Sequence, residues 1–258
     1  STQIMTVLSS WVAKKRRIPC LLYQGMYRDF DLWWKKIFQR IYDILFMRVM
    51  FLNLSIVVGK TASALEYLKS KGMPVEMHRR VIHVGLDVEI FDSTGCGGRD
   101  EPINKNYYDI LYIGKLEKRR KSDFLGELLV ALYNRQKNLK VCIVGDGPER
   151  NNFLAQIHDL IKCGCLTYIP KLENKKLPSI YKKSRVLLNP ATYEIFGMAV
   201  LEAMFFGVPV VASPEAGPKG IISDGVDGIL IEGFEQELWI HNINGLLDNK
   251  QKRSEMGK

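Results

Sequence analysis

Two carboxylates stand out in the apolar stretch "YEIFGMAVLEAMFFGVPVVAS" at 193–213: Glu194 and Glu202, on either side of Gly197. Hydrophobic packing accounts for the Val, Leu, Met and Phe residues but gives no reason to place charge among them. Carboxylates accept hydrogen bonds from hydroxyls, and a helix beginning at Gly197 offers unpaired amides to an anion. A ligand with sugar hydroxyls and a diphosphate suits that pairing. Further upstream, "YIGKLEKRRKSDF" sets Lys115, Lys118, Arg119, Arg120 and Lys121 directly after Gly114. Such a run neutralises phosphate, or is simply a solvated basic turn. In "IVGDGPERN", Gly145, Gly147 and Pro148 make a tight turn into a helix. Arg150 stands where a dinucleotide fingerprint needs its third glycine, which argues against hydride transfer.

Positioning these groups falls to a series of buried strands. "IPCLLY" (18–23), "LSIVVG" (54–59), "RVIHVG" (80–85), "YDILYIG" (108–114), "KVCIVG" (140–145), "LTYIP" (166–170), "SRVLLN" (184–189) and "VPVVAS" (208–213) are continuous apolar runs. Continuous runs predict parallel strands covered on both faces. Helix-length segments at 123–135, 148–162 and 197–206 separate several of them, so the class is α/β. Glu194 then lies in the loop at a strand's carboxyl end, where open parallel sheets bind ligands, and Glu202 lies about a turn and a half inside the next helix. Two plainer alternatives stay open: Glu194 as a cap or exposed loop residue, and Glu202 paired with a surface Lys. The polar, turn-rich segment 92–106 reads as a linker between two domains, 1–91 and 107–258.

With 258 residues, 47% of them hydrophobic, the chain has enough apolar surface for a sizeable core. A net charge of +9 favours anionic partners. Nucleic acid is disfavoured, because the cations cluster at a strand end without interleaved stacking aromatics. Five Cys at irregular spacing and four His without partners at ligand spacing imply reduced, cytoplasmic protein and no metal. Asp29-Phe30-Asp31 matches a short metal motif, but Asp31 as a helix N-cap explains it better. The apolar run at 41–58 is interrupted by Asp43, Arg48, Asn53 and Ser55, unlike a membrane span. The segment 31–51 carries aromatics with Lys35, Lys36, Arg40 and Arg48. It fits an interfacial helix giving peripheral membrane contact, or, more commonly for so apolar a helix, one packed on its own sheet.

Taken in order, "HVGLDVEIF", "YIGKLEKRRK", "IVGDGPER", "RVLLNPATYEIFGMAVLEAMFFGVPVVAS" and "GIISDGVDGILI" resemble the signature of retaining nucleotide-sugar glycosyltransferases of the GT-B fold. This is the large group marked by Glu, seven residues, Glu. The resemblance covers roughly 18–248. It implies two Rossmann-like parallel-sheet domains, the amino-terminal one incomplete here, as though the chain began partway through it and stopped before the helices that close the second. A Gln, Gln24, stands in place of that domain's usual His.

By the same resemblance, Glu194 binds hydroxyls of the transferred sugar near the reacting carbon, and Glu202 holds the ribose. Amides at Phe196, Gly197 and Met198 contact the diphosphate; Gly114, Lys115 and Lys121 complete the donor site. Lys115 replaces the usual Arg, keeping charge but losing the bidentate fork. The implied reaction moves a hexose-like sugar from a nucleoside diphosphate to a glycan or lipid-linked acceptor with retention, without metal or cofactor, in polysaccharide biosynthesis at the cytoplasmic side. A donor-binding remnant without turnover and a sugar-nucleotide epimerase on the same fold are the alternatives.

Overall fold

The computed structural model describes residues 2–25, 32–86 and 108–258, which fall into two compact units, Ser1–Val84 and Gly85–Lys258. Residues 92–106, Asp29 and Asp31, and most of "HVGLDVEIF" lie outside the described residues.

The first unit contains α1 (Thr2–Lys15), β1 (Leu21–Gln24), α2 (Trp33–Tyr42), a π-helical turn (Asp43–Met47), α3 (Arg48–Asn53), β2 (Ile56–Gly59), α4 (Ala62–Ser70) and β3 (Arg79–Val81). Its strands form a parallel sheet in the order β1-β2-β3. Val57, Leu68, Met50 and Phe51 are among its core residues. Thr61 caps α4 by accepting from the Ala64 amide, which starts the helix directly after β2. Only one side of 33–53 packs inward, through Gln39, Met47, Met50 and Phe51, while the other side stays exposed. The segment thus packs on its sheet along one side, sharing a core with Val57 of β2, and leaves its other side open.

The second unit contains β4 (Tyr108–Ile113), a 3-10 turn (Lys118–Arg120), α5 (Ser122–Arg135), β5 (Val141–Val144), α6 (Arg150–Gln156), α7 (His158–Lys162) and β6 (Leu166–Ile169). It continues with α8 (Leu177–Lys182), β7 (Ser184–Asn189), α9 (Met198–Phe205), β8 (Val210–Ala212), α10 (Ala216–Ile221), β9 (Gly228–Leu230), α11 (Gln236–Leu247) and α12 (Lys250–Met256). The single helix expected over 148–162 is broken at Ile157, whose backbone (φ −99°, ψ 13°) leaves the α region.

All six strands of this sheet are parallel, in the order β6-β5-β4-β7-β8-β9. Successive residues of β4 point to opposite faces. Ile110 and Tyr112 join a cluster with Leu128 of α5, Phe153 of α6 and Trp239 of α11, whereas Leu111 joins Tyr181 of α8 and Val200 of α9. Cores on both faces explain why the strands read as unbroken apolar runs. The chain order reverses between β4 and β7: β5 and β6 follow outward on one side, β8 and β9 on the other. Such a switch point opens a crevice at the strands' carboxyl ends, between the loops after β4 and after β7.

Candidate functional site at the sheet switch point

The loop leaving β4 begins at Gly114 and ends in the 3-10 turn Lys118–Arg120. It is held close to the loop leaving β5. A Cβ on Gly145, whose φ is +146°, would lie 1.8 Å from the Gly114 carbonyl oxygen, and one on Gly147 would lie 2.2 Å from that of Leu116. This close backbone approach gives the glycine pair a packing role. Tyr112 Oη donates to the Lys115 carbonyl at 2.9 Å, fixing the turn while the Lys115 side chain stays exposed.

At the end of the 3-10 turn, Lys121 adopts the left-handed conformation (φ 53°, ψ 43°). This reversal sends neighbouring side chains in different directions. Lys121 Nζ lies 4.8 Å from the centroid of the Phe234 ring. Arg120, instead, reaches across the switch point: its Nη1 donates to Glu194 Oε2. Arg119 and Thr192 tie the same two loops together, the Thr192 amide and hydroxyl donating to the Arg119 carbonyl at 2.9 and 3.2 Å.

Glu194, only 9% exposed, is neither a helix cap nor a solvated loop residue. Its carbonyl accepts from the Gly217 amide at 3.0 Å, anchoring the β7 loop to the start of α10. Gly217 is required for this approach, since a Cβ there would sit 2.3 Å from the Phe196 carbonyl oxygen. Gly197 precedes α9 with φ 87° and ψ 59°, and no side chain caps the helix. The amides of the first turn from Met198 therefore have no helix carbonyl to bind, and α9 presents its positive end beside Glu194. Gly207 (φ 69°) terminates α9, as its sequence position predicts.

Within α9, Glu202 pairs with Tyr181 of α8 and not with a surface Lys: Tyr181 Oη donates to Glu202 Oε2 at 2.7 Å. Tyr181 is wholly buried and stacks on Phe206 at 5.5 Å between ring centroids. Burial raises the Glu202 carboxyl above its ordinary value, and the Tyr181 hydrogen bond partly opposes that rise. Burial, then the Glu202 charge, pushes the Tyr181 hydroxyl well above the usual phenol range, so it remains a donor.

Residues 99–258 match the sequence profile of Glycosyl transferases group 1. The chain belongs to this family. Among its relatives it is 26% identical over 203 residues to the D-inositol 3-phosphate glycosyltransferase of Paenarthrobacter aurescens (strain TC1), covering 72% of this chain and 50% of that one. It is 30% identical over 132 residues to an uncharacterized 41.2 kDa protein in the cps region of Klebsiella pneumoniae, covering 51% of this chain and 35% of that one. The chain thus spans half or less of the length of these relatives. In fold it resembles Anabaena Alr3699/HepE, solved in complex with UDP: the TM-score is 0.77 at 18% identity, over 99% of this chain and 70% of that one. The two parallel-sheet units of this group 1 chain accordingly carry the α/β architecture of GT-B glycosyltransferases.

Arg120 and Tyr181 are the two site residues that sequence reasoning did not single out. Lys121, at the residue where the backbone turns left-handed, occupies a position that ordinarily favours glycine. A Lys at 121 gives no sign of that conformation, so which cation turns toward Glu194 is read from the structure alone. Nothing in local sequence links Tyr181 to Glu202, because the contact depends on α8 and α9 packing on the same face of the sheet.

Proposed function

We propose that the chain is the donor-binding part of a retaining glycosyltransferase that moves a hexose-like sugar from a nucleoside diphosphate to a glycan or lipid-linked acceptor. The observation that carries this reading is the crevice at the β4/β7 switch point, where buried Glu194 and a cation meet beside the uncapped start of α9. In this reading the amides at Phe196, Gly197 and Met198 receive the diphosphate. Lys115, Arg120 and Lys121 supply positive charge as the leaving group departs, and Gly114 lets the β4 loop turn away from it. Preorganised donors of this kind stabilise developing phosphate charge without reorganising, so the step needs neither metal nor cofactor.

Glu194 holds hydroxyls of the transferred sugar close to the anomeric carbon, and Arg120 fixes its orientation. Glu202, held by Tyr181, accepts from the ribose hydroxyls. UDP is the first nucleotide to test, given its presence in the HepE structure. Polysaccharide assembly on the cytoplasmic side of a membrane is the setting proposed, supported by the cps-region relative. Among the described residues, no helix is long and apolar enough to cross a membrane.

The reading is tested by incubating the protein with a panel of nucleoside-diphosphate sugars and measuring nucleotide release and glycosyl transfer. Release from one donor, lost in Glu194→Ala, with a product of unchanged anomeric configuration, is the expected result. Tight binding without release would assign a donor-binding unit instead; a changed sugar epimer on the nucleotide would assign an epimerase.

A further inference from the structure

The helical segment 33–53 buries Met47, Met50 and Phe51 along one side and leaves the other side open. Two of its polar side chains face the protein: Gln39, 3% exposed, donates through Nε2 to Tyr67 Oη, and Asp43 pairs with Lys71 at 2.7 Å. Many of its large apolar side chains nonetheless face outward, with Ile44 75%, Trp33 72% and Phe38 68% exposed, and Ile37, Leu45 and Leu52 also in the open. Scattered exposed hydrophobics are ordinary, but a contiguous run on one element marks an interaction surface. α1 packs against α3, with Lys14 Nζ donating to the Leu52 carbonyl at 2.8 Å, and adds exposed Met5, Leu8 and Trp11.

Among the described residues of these helices the charges are almost all positive. Lys35, Lys36, Arg40 and Arg48 lie along the segment, and Lys14, Lys15, Arg16 and Arg17 close α1. Across 2–25 and 32–53 the only acidic residue is Asp43, which is turned onto Lys71. Two of the lysines fold over tryptophans, Lys15 Nζ lying 5.4 Å from the Trp11 ring and Lys35 Nζ 5.2 Å from that of Trp34. Ammonium groups held at the level of exposed aromatic rings match the depth profile of a bilayer boundary, where rings enter the acyl edge and cations meet phosphates.

We infer that α1, α2 and α3 form a docking face for an anionic phospholipid bilayer. The face is apolar enough to insert and, among its described residues, carries cations with no carboxylate besides the paired Asp43, which selects anionic over neutral headgroups. This contact is peripheral and independent of the donor crevice.

The test is sedimentation of the full chain with vesicles of phosphatidylcholine alone or mixed with phosphatidylglycerol, at low and high salt, with tryptophan emission recorded in parallel. Binding confined to the phosphatidylglycerol vesicles, weakened by salt and accompanied by a blue shift, is expected. Phe38→Asp should weaken it roughly tenfold or more, by loss of a buried aromatic. Lys36→Glu and Arg40→Glu should each weaken it at least about fivefold, the worth of one basic residue near such a surface. An unchanged circular dichroism spectrum shows that the variants remain folded. No binding to either vesicle would overturn the proposal, as would equal binding to both. Self-association without lipid that Phe38→Asp abolishes would also overturn it, assigning the face to a second copy of the chain.

Discussion

The Tyr181 hydroxyl, wholly inside the core of the donor unit, donates to Glu202 Oε2 at 2.7 Å. A rigid, buried phenol thereby fixes one oxygen of the carboxylate, and in the proposed reading the other accepts from the ligand. If Glu202 holds the ribose, Tyr181 is a positioning residue. Tyr181→Phe should weaken nucleoside diphosphate binding about tenfold, the value of one hydrogen bond to a charged group, while leaving the turnover of bound donor nearly unchanged. Calorimetry and a KM-against-kcat comparison check this; a fall in kcat at constant KM would contradict it.

Burial makes Glu202 a cost to stability when ionised. Its carboxyl is raised above 4.5 in the folded protein, so the folded state holds the proton more tightly than the unfolded chain. The contribution to stability is fully present below the unfolded value and declines as pH rises through the raised folded value. Glu202→Gln should remove this decline and be at least as stable as wild type at neutral pH. Melting temperatures measured from acid to neutral pH test the sign; a variant that loses stability as pH rises, as wild type does, would refute it.

Arg120 and Glu194 form an ion pair with side chains only 23% and 11% exposed. Removing Arg120 takes from the buried Glu194 carboxylate the guanidinium that donates to it. Arg120→Ala should therefore destabilise the unit by about 3 kcal/mol in urea unfolding, with Arg120→Met combined with Glu194→Leu recovering most of that loss. Both variants should lose glycosyl transfer. If Arg120→Ala unfolds at the wild-type midpoint, the pair contributes no stability.

Two glycines of α10 separate close approach from open space. A Cβ at Gly217 would meet the Phe196 backbone at 2.3 Å, whereas one at Gly220 meets nothing within 4 Å. Gly217→Ala should displace the loop that carries Glu194, costing about 1–3 kcal/mol and lowering nucleotide affinity. Gly220→Ala should be neutral or stabilising by up to about 1 kcal/mol. Equal melting temperatures for the two variants would refute the close-approach argument.

Much of this arrangement is legible in the sequence, for reasons that can be traced to particular residues. Strand β7 is found at 184–189 as read, because its apolar centre Val186–Leu188 is buried and polar Ser184, Arg185 and Asn189 mark its two ends. Glu194 and Glu202 are conspicuous since charge inside an apolar stretch demands a partner. Their actual partners, Arg120 and Tyr181, lie 74 and 21 positions away and are brought in by packing. Among five consecutive-looking cations, spacing cannot say which one crosses the crevice; the left-handed turn at Lys121 decides it. The orientation of α2 was equally hidden. An apolar helix with interspersed Lys and Arg is compatible with burial, and only the inward hydrogen bonds of Gln39 and Asp43 show which side faces out.

The central claim is that Glu202 is one end of a grip on a nucleoside diphosphate. Calorimetric titration of wild type and Glu202→Ala with UDP, and then with the other nucleoside diphosphates, measures it most directly. The account predicts saturable binding of at least one nucleotide by wild type, weakened roughly thirtyfold in Glu202→Ala through loss of about 2 kcal/mol of charged hydrogen bonding. Binding of equal strength by the two proteins, or no binding of any nucleoside diphosphate by wild type, would contradict it.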